Sequence, residues 1–143
     1  MLQLIIWFSR FAKYFLVIWI VTILILSSIP SLPTLKIHTS KSEIRLDYII
    51  HLFEYGILGF LAFLTFSGGE YRPGKRNYLF ITSSLFLFAF FDEFHQKFIP
   101  GRAFNWNDLY SDSAGIVLAL IFCILVFRKI AGKIEPRSGS INI

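Results

Sequence analysis

The sequence predicts an all-α membrane protein with four transmembrane helices and an interfacial or re-entrant loop between the third and fourth. Three observations predict it. Hydrophobic residues make up 55% of the 143 positions and Phe alone fills 17, too apolar for a water-facing globule of this size. Charged residues are only 16%, and they gather in a few patches instead of alternating along amphipathic faces. Between the patches lie long uncharged runs, each near the ~20 apolar residues that a helix needs to cross a hydrocarbon core.

The first run extends from about Phe11 to Ile29 and is entered through Arg10 and Lys13. Its apolar stretch, Tyr14 to Ile29, exceeds the ~7–15 residues of a signal-peptide core, and no A-x-A site follows it, so it reads as a retained helix. "PSLPTLKIHTSKSE", with Pro30 and Pro33, reads as a loop. The second run covers Leu46 to Phe66. "SGGEYRPGK" is a turn-rich link to the third, Asn77 to Gln96. "KFIPGRAFNWND" then leads to the fourth, Leu109 to Phe127. That connection is aromatic and apolar for a loop, which suits the membrane interface or a fold back over the helix ends. The organisation is one membrane domain, residues 1–130, followed by a polar cytoplasmic tail, residues 131–143, carrying Pro136, Ser138, Gly139 and Ser140.

Lysine and arginine set the orientation. With four spans, Arg10, Lys13, Arg72, Lys75, Arg76, Arg128, Lys129, Lys133 and Arg137 fall on one side, and Lys36, Lys41, Arg45, Lys97 and Arg102 on the other. The larger group marks the cytoplasmic face, with both termini inside. The same spread explains the net charge of +5 without nucleic acid as a partner. The single cysteine, Cys123, excludes an intrachain disulfide and reads as a packed or lipid-facing thiol.

Polar residues interrupt the spans in a pattern. In "DYIIHLFEYGIL", Asp47, His51, Glu54 and Tyr55 follow at i, i+4, i+7 and i+8, on one helical face. In "FFDEFHQ", Asp92, His95 and Gln96 share a face, with Glu93 to one side. In "DLYSDSAG", Asp108, Ser111, Asp112 and Gly115 form a stripe. All three stripes lie toward the external end of their helices. At 1.5 Å per residue, His51, Glu54 and Asp112 sit roughly 5–10 Å inside it. A charge at mid-span costs about 2.5–3.5 kcal/mol on insertion scales, so these groups must face one another or water. The expectation is a polar cup that opens outward. Arg102, just after a Pro-Gly turn, suits a carboxylate or phosphate. Asn107 or Asp108 is placed to cap the fourth helix, whose N-terminus favours an anion.

At these residues the chain resembles the VanZ-like family of small bacterial membrane proteins, named after an accessory protein of teicoplanin resistance. The resemblance runs from about Asp47 to Leu120 and rests on "DYIIHLFEYGILGFL", "DEFHQKFIPGR" and "DLYSDSAG". It carries over Asp47, His51, Tyr55, Asp92, Glu93, His95, Gln96, Arg102, Asp108 and Gly115. Where the family usually has Asn, this chain has Asp112, an added negative charge. The resemblance implies a multi-pass protein of the bacterial cytoplasmic membrane and, in some members, reduced sensitivity to teicoplanin-type antibiotics. It supplies no reaction.

Three readings of the cup follow. As a binder, it would hold a membrane lipid, a lipid-linked envelope precursor or the lipid tail of a glycopeptide, with Asp47, Tyr55, Gln96, Arg102, Asp108 and Asp112 as contacts. As an enzyme on such a substrate at the outer leaflet, it would use His51, Glu54, Asp92, Glu93 and His95 for acid–base work. No nucleophile accompanies them: Ser111 lacks a G-x-S-x-G setting and Cys123 lies toward the other face. No cofactor is assigned, although His51-x-x-Glu54 and Asp92-x-x-His95 have the i, i+3 spacing of carboxylate–histidine metal pairs, which plain hydrogen bonds also produce. As pure structure, His51 would bond Glu54 and Arg102 would pair with Asp108 or Asp92, fixing register for about 0.6–2 kcal/mol per contact. A proton path is disfavoured, since only Thr82, Ser83 and Ser84 continue inward along the third span.

Overall fold

A computed structural model describes residues 2–30, 36–39, 42–66 and 74–134. Four helices dominate it: α1 (Leu2–Ser27), α2 (Leu46–Phe66), α3 (Lys75–Gln96) and α4 (Trp106–Ile134). The external loop expected after the first span is partly ordered instead. There β1 (Lys36–Thr39) pairs antiparallel with β2 (Ser42–Arg45), with Lys36 opposite Arg45 and Ile37 opposite Ile44. Lys36-Ile37-His38-Thr39 alternates polar and β-branched residues, a period-2 pattern that the helical reading of the chain passed over. The link at residues 67–73 and the tail at 135–143 lie outside the described residues. The first residues of the expected tail, Ala131 to Ile134, are helical and continue α4.

Each helix buries one stripe. On α1 it is Ala12, Leu16, Ile23 and Ser27; on α3 it is Ile81, Leu85 and Ala89, then Asp92, Glu93 and Gln96. On α4 it is Asp108, Asp112, Gly115, Ile116, Ala119, Cys123 and Phe127. The 3.6-residue period therefore runs unbroken from apolar to polar side chains, so the acids occupy core positions. Outward faces are the reverse of a soluble bundle. Val17 on α1, Phe53 on α2, Phe80 on α3 and Leu125 on α4 are 60%, 63%, 71% and 61% exposed. Two helices, α2 over Leu46–Phe66 and α4 over Trp106–Lys129, are long and apolar enough to cross a membrane, and Phe11–Ser27 is a shorter apolar helix.

The tightest packing joins α2 to α4 through small residues. A Cβ on Gly115 would stand 2.8 Å from the Gly56 amide nitrogen and 3.2 Å from the Leu52 carbonyl carbon. One on Gly59 would stand 2.8 Å from the Ala119 methyl. Backbones this close are the small-residue contact that lets apolar helices associate without a hydrophobic driving force. They fix the rotation and height of α2 against α4. Trp19 ties α1 to the pair by donating its indole N–H to the Glu54 carbonyl at 2.9 Å.

The α3–α4 connection is built as its composition suggests. Ile99-Pro100-Gly101-Arg102 closes with the Arg102 amide donating to the Ile99 carbonyl at 3.1 Å, and Gly101 has φ 77°. That is a type II turn, whose third residue needs the left-handed conformation open to glycine. Phe104 then packs edge-on against Phe90 at 6.2 Å and Trp106 at 4.9 Å, holding the loop onto the helices.

Candidate functional site

Polar side chains from α2, α3 and α4 gather at one end of the bundle, where α2 and α4 begin and α3 ends. Because Gly115 seats α4 against Leu52 and Gly56, Asp112, one turn before Gly115, meets His51, one turn before Tyr55. His51 Nδ1 is 2.9 Å from Asp112 Oδ1, and His51 Nε2 is 4.0 Å from Asp108 Oδ2. The imidazole thus stands between two carboxylates one turn apart on α4. The expected His51–Glu54 bond is not made. An i, i+3 pair on one helix loses to an acid brought edge-on by a neighbouring helix.

One turn further along the same face of α2, Tyr55 donates its hydroxyl to Asp92 Oδ2 at 3.1 Å. Glu93, with no exposed surface, accepts from Gln96 Nε2 at 3.2 Å and from the Asn105 amide at 3.2 Å. Asp92, Glu93, Gln96, Asp108 and Asp112 are all buried, with Asp112 and Glu93 at 0% exposure. So this is a closed polar cluster, filled by its own side chains, where the sequence suggested an open cup. Among the described residues, His51 is the only basic side chain within ion-pair distance of these four carboxylates.

Two expectations on α3 change places. Glu93, read as lying to one side, is in the cluster; His95, read as sharing the Asp92 face, is exposed and meets Ser28 Oγ at 3.2 Å. At about 100° per residue, Glu93 and Gln96 lie about 60° apart on one side of Asp92, and His95 about 60° away on the other. Packing against α2 and α4 selects the first pair and turns His95 toward the end of α1. The metal pairing Asp92-x-x-His95 is thereby undone. Among the described residues, the group whose ligand atoms lie within 4.8 Å of one another is His51, Glu93 and Asp112.

A rim surrounds the cluster on the α1 side. Arg102, half-buried, donates from its guanidinium to the Leu26 carbonyl at 3.2 Å and makes no carboxylate pair of the kind expected with Asp108 or Asp92. The last carbonyls of a helix carry partial negative charge, and the Leu26 carbonyl, which accepts from the Ile29 amide at 3.3 Å, keeps a second lone pair for the cation. Glu54, one residue before Tyr55 on α2, is half-buried. Asp47, also half-buried, opens α2 in its first turn. Ser111 is spent on the Asn107 carbonyl at 3.0 Å, and Cys123 is packed in the apolar core.

Residue Asn105 was not singled out by sequence reasoning. It caps α4: its side-chain oxygen accepts from the Asn107 amide at 3.0 Å and its carbonyl accepts from Leu109 at 3.2 Å. Asn107 and Asp108, the expected caps, lie inside the helix, and Asn107 instead donates to the Tyr48 hydroxyl at 3.2 Å. The signal was present, since a cap-type residue precedes Trp106; the apolar periodicity beginning at Leu109 drew the boundary too late. Asn105→Ala should lower stability by about 1 kcal/mol, and Asn105→Asp by much less. Thermal unfolding of the purified proteins followed by circular dichroism checks this, and an unchanged alanine variant would remove Asn105 from the cap.

A bundle with an apolar exterior, two helices able to cross a bilayer and its buried ionisable groups concentrated at one end has the make-up of a small membrane protein. The chain belongs to the VanZ/LLP1 family, whose model matches residues 3–128. That match takes in α1 as well as the Asp47–Leu120 region from which the resemblance was read. Comparison with curated proteins and with solved structures gives no match in either set.

Proposed function

We propose that this VanZ/LLP1-family chain crosses the bacterial cytoplasmic membrane four times, with both termini in the cytoplasm, and binds the polar head of an envelope lipid or lipid-linked precursor at its outer end. The observation that carries the proposal is the position of the rim. Arg102, Glu54 and His95 lie beside a buried acidic cluster at one end of helices whose outward faces are apolar. A lipid lying against those faces presents its head at that level. Arg102 uses one of its five N–H donors on the Leu26 carbonyl, and the remaining fork suits a phosphate or carboxylate. Glu54 and the cluster behind it suit hydroxyl, amide or ammonium donors of the same head. A glycopeptide that lays its lipid tail against the same apolar faces would bring its polar part to the rim, and lowered sensitivity to teicoplanin-type antibiotics belongs to this reading.

Mass spectrometry of lipids that co-purify with the protein provides the test. Arg102→Ala should reduce one headgroup class at least several-fold while the protein still accumulates in the membrane. Identical lipid profiles in parent and variant would remove the rim as a binding site.

A second reading, an enzyme doing acid–base or metal-assisted chemistry on such a lipid, is favoured by one arrangement. His51 is oriented by Asp112 through Nδ1, while Nε2, 4.0 Å from Asp108, makes no hydrogen bond among the described residues, the arrangement of an imidazole that passes a proton through its second nitrogen. Glu93→Gln separates the two readings, since it should abolish turnover while leaving lipid co-purification largely intact.

A further inference from the structure

We infer that His51, Glu93 and Asp112 form a binding site for one divalent transition-metal ion, with Zn²⁺ the best-fitting occupant. The inference rests on the helix geometry and stands whether or not a lipid enters the rim. One imidazole and two carboxylates come from α2, α3 and α4, and all three side chains are buried. One donor atom of each lies within 4.8 Å of the others, and His51 Nδ1 and Asp112 Oδ1 are 2.9 Å apart. Adjacent ligands on an ion with bonds of about 2.1 Å stand about 3.0–3.4 Å apart, so a small inward or outward adjustment seats the ion.

A second, independent observation points to a cation. Asp112 Oδ2, on a residue with no exposed surface, has no hydrogen-bond partner, and neither have Asp92 Oδ1 and Asp108 Oδ1, on residues 4% and 8% exposed. Native interiors seldom leave buried carboxylate oxygens without partners, because each costs its full desolvation. Four buried carboxylates against a single imidazole also leave the cluster short of positive charge. A dication held by His51, Glu93 and Asp112 gives Asp112 Oδ2 a partner and supplies positive charge beside the other two carboxylates. With Nδ1 on the metal, Nε2 is left on the side of Asp108, whose Oδ2 stands 4.0 Å away and would need to close in to act as the outer carboxylate that commonly fixes the tautomer of a ligating histidine. Glu93 is held in place by Gln96 and the Asn105 amide, and each of its oxygens keeps a lone pair for the ion. The nitrogen donor favours Zn²⁺ over Mg²⁺ or Ca²⁺, which prefer all-oxygen sites.

The test uses the full chain in detergent, stripped with EDTA and titrated with Zn²⁺ by calorimetry, with Mg²⁺ as the comparison. The expected result is one Zn²⁺ per chain, a raised melting temperature, and Zn²⁺ affinity at least tenfold lower in Glu93→Gln and in Asp112→Asn. Both substitutions are near-isosteric, and helix content by circular dichroism verifies that they fold. Equal Zn²⁺ affinity in the parent and both variants overturns the site. Should a variant fail to fold, the parent decides: a melting temperature that Zn²⁺ leaves unchanged overturns it as well.

Discussion

Gly115→Ala should destabilise the protein by about 1–3 kcal/mol or more, the range for overpacking a closed interface. The added methyl would meet the Leu52 carbonyl oxygen, the Gly56 nitrogen at 2.8 Å and the Leu52 carbonyl carbon at 3.2 Å. These are backbone atoms of a continuous helix and cannot rotate aside, so α2 and α4 must separate. Separation would also pull Asp112 from His51. Gly56→Ala supplies the internal comparison. Its methyl would stand 3.8 Å from the Gly115 carbonyl oxygen, an ordinary contact, and should cost far less. Melting curves of the two variants decide the matter, and equal losses would mean that the α2–α4 contact is looser than described.

His51→Ala has the other large expected effect, about 3–5 kcal/mol. Removing the imidazole leaves Asp112, fully buried, with no partner on either oxygen, and takes from Asp108 its nearest basic neighbour. The loss arises from the carboxylate left behind more than from the bond itself. It follows that His51→Ala/Asp112→Ala should be more stable than His51→Ala alone, since the double variant removes the stranded charge. A double-mutant cycle on unfolding free energies measures this coupling. Simple additivity of the two single losses would show that the pair does not interact.

Much of the architecture could be read from the residues because it depends on local patterns. The second span was placed at the bounds of α2, and the third was ended at Gln96, because uncharged runs and flanking turn residues are short-range signals. The Pro100-Gly101 turn is equally local, as only glycine takes its φ without strain. The stripe on α4 from Asp108 through Asp112 to Gly115 was legible from spacing alone, and so was the convergence of three helix ends.

What failed to show was which of several equally placed residues a neighbour would choose. Glu93 and His95 flank the Asp92 face almost symmetrically, and only the docking of α3 against α2 and α4 sends one inward and the other to Ser28. His51 had an acid at i+3 on its own helix and took Asp112, which the Gly56–Gly115 approach brings within 2.9 Å. Arg102 had carboxylates close in sequence and took a helix-end carbonyl seventy-six positions earlier. By itself the sequence determined four helices, their apolar surfaces and the end of the bundle that holds the buried ionisable groups, since periodicity and composition act within a few turns. The tertiary structure alone decided the pairing inside that end, because hydrogen bonds and ion pairs form over about 3 Å and such distances between helices are set by packing.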